Sequence, residues 1–126
     1  MARAGRYSFV IEQGATFTRQ VQYLDSSNDP VNLTNYGARL YIRQSYDSAV
    51  TIIKLTTTVA ADGTGISIMS PAASGTINIT ISAYSSSLLS FNEAVYDLEI
   101  YSGSGVSQNV KRLLEGKVKL SREVTR

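Results

Sequence analysis

Asp97 and Glu99 stand two residues apart in the stretch AVYDLEIY, residues 94–101. A carboxyl pair is the residue set that hydrolyses glycosidic bonds, one group donating a proton while the other attacks or activates water. That chemistry needs one carboxyl kept protonated by burial. Alternation in this stretch instead puts Tyr96, Leu98 and Ile100 inward and Asp97, Glu99 and Tyr101 outward. Outward neighbours at i and i+2 decorate a solvent face, so the pair reads as surface charge. The chain has no histidine and no cysteine, which removes Ser-His-Asp and Cys-His nucleophiles, thiolate zinc sites and disulfides. No enzyme, cofactor or metal site is expected.

The other chemical signals are short. Asp62-Gly63-Thr64-Gly65 resembles part of a calcium loop but lacks the further oxygen donors at fixed offsets, and is read as a turn. Asn32-Leu33-Thr34 and Asn78-Ile79-Thr80 match the glycosylation acceptor pattern, which short stretches meet by chance; Asn78 lies inside an expected strand. No Gly-rich phosphate loop occurs. The more informative row is Arg39, Tyr41 and Arg43, which alternates with Ala38, Leu40 and Ile42. The apolar row is core. The Arg/Tyr/Arg row is either a subunit contact, since interfaces favour these residue types, or simply the wet side of a strand. Tyr41 and Tyr101 are also candidate stacking rings for a glycan.

Elements that would position these residues follow from the period of the apolar positions. With 126 residues, 43% hydrophobic and 17% charged, the chain suits one domain rich in Ser and Thr, a mixture that favours strands. Expected strands run through 7–11, 16–24, 38–44, 50–55, 66–68, 76–81, 94–101 and the region after the loop 102–105, with Gly116 expected to interrupt the last as a bulge or corner. Arg19 falls on the otherwise apolar face of its strand, as at an edge or snorkelling outward. Residues 82–89 are expected to hold one short helical turn capped by Ser82. Short strands at this spacing predict an all-β fold, a single antiparallel β-sandwich of about eight strands, immunoglobulin-like or jelly-roll-like.

Net charge is +2, and the basic residues crowd the end of the chain, diluted by Glu115 and Glu123. A nucleic-acid partner is not expected from so sparse a surface. No stretch is apolar enough for a signal peptide or a membrane span, so no membrane is expected. The organisation expected is a flexible basic arm at 1–6, the β domain at 7–121 and a basic tail at 122–126.

One segment, VNLTNYGARLYIR at 31–43, resembles the DLTGYTARMQIR type of segment in small structural proteins of tailed bacteriophages. FVIEQGATF (9–17), GTINITIS (75–82), YDLEI (96–100) and LLEGKVKLSREVTR (113–126) fit in the same order, over nearly the whole chain. Asn35 stands where Gly is usual and Gly37 where Thr is usual. Such proteins are similar to baseplate-upper-protein-like or immunoglobulin-like virion domains. The resemblance implies an assembly role in the virion, after synthesis in the host cytoplasm. The expected location is the tail, baseplate or fibre-attachment region, the alternative being a capsid decoration or neck protein. It implies virion proteins as partners, and multiple copies or a homo-oligomer. The contact residues expected are Arg3, Arg6, Arg39, Tyr41, Arg43, Tyr101, Arg122 and Arg126. A carbohydrate-binding module for host attachment is the reading from a different class.

Overall fold

A computed structural model describes residues 5–103 and 105–124 of the chain. The strands are β1 (Gly5–Arg6), β2 (Phe9–Glu12), β3 (Phe17–Gln22), β4 (Gly37–Arg43), β5 (Thr51–Thr56), β6 (Gly65–Ile68), β7 (Thr76–Ile81), β8 (Glu93–Ser102) and β9 (Asn109–Ser121). One helix, α1 (Ala83–Ser87), lies where a helical turn was expected; Ser82 caps it by accepting a hydrogen bond from the Ser85 amide.

The strands form two sheets. In the larger, β9, β8, β4 and β5 pair antiparallel in that order, while β1 and β2 run parallel along the far side of β9. The smaller is antiparallel, in the order β3, β7, β6. Inward rows from both sheets meet in one core, which includes Phe9, Ile11, Leu40, Ile42, Ile77, Ile79, Leu98 and Val118. Alternation sets these rows: β4, β7 and β8 each bury every second residue.

Three expectations need correction. The larger sheet is mixed rather than purely antiparallel, because the chain's first strand segments lie beside its last strand. Gly5 and Arg6, expected in a flexible arm, pair with Leu114 and Glu115 in the same register that carries Phe9 to Val118; residues 1–4 of that arm lie outside the described residues. Gly116 does not break the last strand, since β9 runs unbroken through it. The irregularity falls three residues earlier, where Leu98 pairs with Leu114 and Glu99 with Arg112, leaving Leu113 as the extra residue.

Gly116 serves a different purpose. The Tyr7 backbone passes so close that a Cβ at position 116 would run into its carbonyl oxygen. The Tyr96 hydroxyl, from the residue paired with Gly116, donates to that same carbonyl at 2.6 Å. Absence of a side chain thus lets the N-terminal strand close on β9, and the phenol satisfies a carbonyl that pairing leaves over.

Two substitutions test this junction by denaturant unfolding. Gly116→Val is expected to destabilise the fold by about 1–3 kcal/mol through overpacking against backbone. Tyr96→Phe is expected to cost about 1 kcal/mol through the lost hydrogen bond. A Gly116→Val protein as stable as the parent would refute the close approach.

Candidate functional site

The outward face of the larger sheet gathers most of the residues singled out in the sequence. Pairing lays them in rows across the strands. One row runs Thr56, Arg39, Glu99 and Arg112; the next runs Lys54, Tyr41, Asp97 and Glu115; a third carries Arg43, Val95 and Lys117. Arg39 Nε sits 2.8 Å from Glu99 Oε1, with both side chains more than two-thirds buried. Its guanidinium also stacks 4.9 Å from the centre of the Tyr101 ring. That ring lies across Gly37, where a Cβ would collide with it. Arg43 donates to the Ser48 carbonyl at 3.0 Å, and Lys54 Nζ lies 5.3 Å from the Tyr41 ring centre. Each of the three expected central residues is therefore held by its own neighbours before any partner arrives.

A shallow basin of about 300 Å³ opens on this face, lined by Tyr41, Arg43, Tyr46, Asp97, Glu99 and Arg112 among others. Asp97 is its unusual member. Burial pushes its carboxyl above the ordinary aspartate range, and Glu99 and Glu115 push the same way against Arg112 and Arg43. The Arg112 contact is long, 3.5 Å, and partly exposed, so it offsets little of that cost. Glu99 is already engaged with Arg39. The arrangement offers charge-assisted hydrogen bonds, with guanidinium and carboxylate groups fixed on a flat, partly dry surface.

The remaining expected contact residues lie elsewhere. Arg6 pairs in register with Glu115 at the rim of the same sheet. Arg122, expected as a contact residue in the basic tail, is held by its own chain: it donates to the Ser90 carbonyl at 2.6 Å and lies 3.3 Å from Asn92 Oδ1. Arg3 and Arg126 fall outside the described residues. Sequence reasoning did not assign Tyr46, Lys54, Arg112 or Glu115 to the face; no local signal marks them, because strand register brings Lys54, Arg112 and Glu115 beside Tyr41, Glu99 and Asp97, and the β4–β5 turn brings Tyr46 to the basin.

The turn at Asp62 proves to be a clasp. Its carboxylate accepts from the Ser82 hydroxyl at 2.6 Å, the Ser85 hydroxyl at 2.5 Å, and the Thr64 amide at 3.0 Å and hydroxyl at 3.1 Å. Those bonds, Ser82 first, hold its pKa well below the usual carboxylate range. The clasp ties the β5–β6 connection to the start of α1. Among the described residues no group of three or more acidic, histidine or cysteine side chains is placed to hold a metal ion.

Two pH-dependent results follow. Asp97 has a raised folded pKa, so its ionisation opposes folding; stability declines as pH rises from the unfolded value, about 3.9, through the folded one. Asp97→Asn should therefore melt higher than the parent at pH 7, with the gain vanishing near pH 3.5. Asp62 has the opposite sign: its contribution is present above the unfolded pKa and lost as pH falls through the depressed folded one. Asp62→Asn should melt lower at neutral pH, the gap narrowing only in strong acid. Melting curves across pH check both, and identical pH profiles for parent and variants would refute the assignments.

No known family model matches this chain, and no curated protein matches it, so the reading of the face rests on its own residues.

Proposed function

We propose that this protein is a non-enzymatic structural component of a tailed-bacteriophage particle, an immunoglobulin-like β-sandwich that joins neighbouring virion proteins through the outward face of its larger sheet. The tail, baseplate or fibre-attachment region is the location we favour, with a capsid decoration or neck position as the alternative. The single observation that carries the assembly reading is the Arg39–Glu99–Tyr101 and Tyr41–Lys54 set, in which arginine and tyrosine side chains are already fixed on a flat face. Binding then costs less side-chain entropy than it would for free, flexible groups. Arginine and tyrosine are also the types that dominate binding energy at protein contacts. The ordered resemblance of five segments to phage structural proteins supplies the virion context.

The same geometry ranks a protein partner above a host glycan. Sugars stack on an open aromatic face, whereas Tyr101 is flanked by Arg39 and Gly37, and Tyr41 carries Lys54. A surface studded with ion pairs suits a partner of complementary charge.

Expression of the particle with the Arg39→Glu, Tyr41→Ala double variant tests the proposal. The variant chain should remain folded by circular dichroism, yet its incorporation into particles should fall on the order of tenfold or more. Unchanged incorporation would remove this face from assembly, and particles that never contain the parent chain would remove the virion role altogether.

A further inference from the structure

The extra residue at Leu113 turns Lys111 round. Strict alternation from inward Leu114 would point Lys111 out to solvent, but with Leu113 bulged it pairs with buried Ile100, on the inward row. Bulges that re-aim a side chain in this way gather beside functional sites. Lys111 Nζ lies 5.8 Å from the centre of the Tyr23 ring, one residue past β3 in the smaller sheet. Between the two sheets here opens a cleft of about 290 Å³, floored by Ile100 and walled by Tyr23, Tyr36 and Lys111, with Asp25 and Asn109 exposed at its lip. Its size is near the lower bound of small-molecule sites, about 300 Å³, and its mixture of apolar floor, aromatic wall and a few polar groups is theirs too. Asp25 is preset: its Oδ1 accepts the Ser27 and Asp29 amides at 2.8 and 3.0 Å, which leaves Oδ2 without a partner among the described residues. Lys111 and Asp25 line the same cleft yet form no ion pair with each other. Nor does any hydrogen bond among the described residues take up the Tyr23 hydroxyl, the Tyr36 hydroxyl or the Asn109 amide group.

We infer that this cleft binds an acidic sugar, with Lys111 on its carboxylate, Asp25 and Asn109 on its hydroxyls and the Tyr36 ring against its apolar face. Each group selects part of that ligand. The ammonium, brought inward by the bulge, calls for an anion. Asp25 repels a bare anion and calls for hydrogen-bond donors close to the negative group, because an ionised carboxylate only accepts. A sugar acid carries both. A free amino acid carries both as well, but it would engage the two charged groups and leave the phenols and the amide unused, whereas a ring of hydroxyls meets all of them. Lys111 already covers Tyr23, so Tyr36 is the ring open to stacking. This cleft shares no residue with the Arg39, Tyr41 and Tyr101 set on the outward face, and sugar binding here does not depend on the virion role.

Titration of the full chain with glucuronate, glucose, acetate and free glycine, followed by amide chemical shifts, tests the inference. Glucuronate should shift the amides of Tyr36 and Lys111 and bind on the order of tenfold or more tightly than the other three. Lys111→Gln should erase the preference for glucuronate over glucose. Lys119→Gln, the same charge change at an exposed position of β9 away from the cleft, should keep it. Asp25→Asn retains an oxygen for the Ser27 and Asp29 amides, so it should fold as the parent does and bind glucuronate more weakly. Tighter binding by Asp25→Asn would mean a plain anion site and overturns the sugar. The inference also fails if acetate, glucose or glycine matches glucuronate, if Lys111→Gln keeps the preference or Lys119→Gln loses it, or if the Tyr36 and Lys111 amides do not shift. None of these outcomes bears on incorporation into particles, so failure here is separable from failure of the virion role.

Discussion

The close pass of Tyr7 over Gly116, fixed by the Tyr96 hydroxyl, is the constraint on which the larger sheet depends. β9 is thirteen residues long, and without the N-terminal segments its far side would present a row of unpaired amides and carbonyls. Parallel pairing of β1 and β2 covers the half from Leu114 onward and seats Phe9 and Ile11 against the core. Phe9 stacks with Phe17 of the smaller sheet and with Tyr96, so the same junction ties the two sheets together. Any side chain at position 116 would push the first strand away and loosen all of these contacts at once.

With β9 held, the register of β8 and β4 is held too, and the outward charges fall into rows. Opposite signs face each other in one row, where Arg39 meets Glu99 and Glu99 meets Arg112. In the next, Asp97 stands directly across from Glu115, a like-charge pair that costs stability. The cost is tolerated on a face whose other pairs are satisfied, and it leaves a carboxyl whose ionisation a cationic neighbour would ease.

Sheet edges are treated differently from sheet faces. β3, an edge strand, points Arg19 inward, its guanidinium over the Phe17 ring and its Nε buried without a hydrogen-bond partner. β5, at the opposite edge of the larger sheet, slips register at Ile42 and Arg43, which leaves Ile52 bulged, and carries an outward lysine. β6 is short, and Val59 closes over Gly65. Inward charge, bulge, lysine and shortness all discourage strand addition. Pairing with a further strand is thus disfavoured at these edges.

Alternation alone determined the strands, because a two-residue period is written directly into the side chains: Ile77, Ile79 and Ile81 buried, Ala38, Leu40 and Ile42 buried, Ser82 capping a helical turn. The outward position of Arg39, Tyr41 and Arg43 was equally plain, whereas Arg19 pointed either to an edge or to outward snorkelling, and the structure shows an edge strand with the Arg19 Nε buried. What the sequence could not carry was which strands lie side by side, since pairing depends on contacts between residues far apart in the chain. Only the tertiary structure decided that the first strand runs parallel to the last, that Gly116 makes room for Tyr7 rather than ending a strand, that Arg122 is anchored by Ser90, and that Asp62 reaches Ser82 and Ser85. The candidate site divides in the same way: side-chain direction is a local property of each strand, whereas the partners that fix those side chains come from cross-strand register.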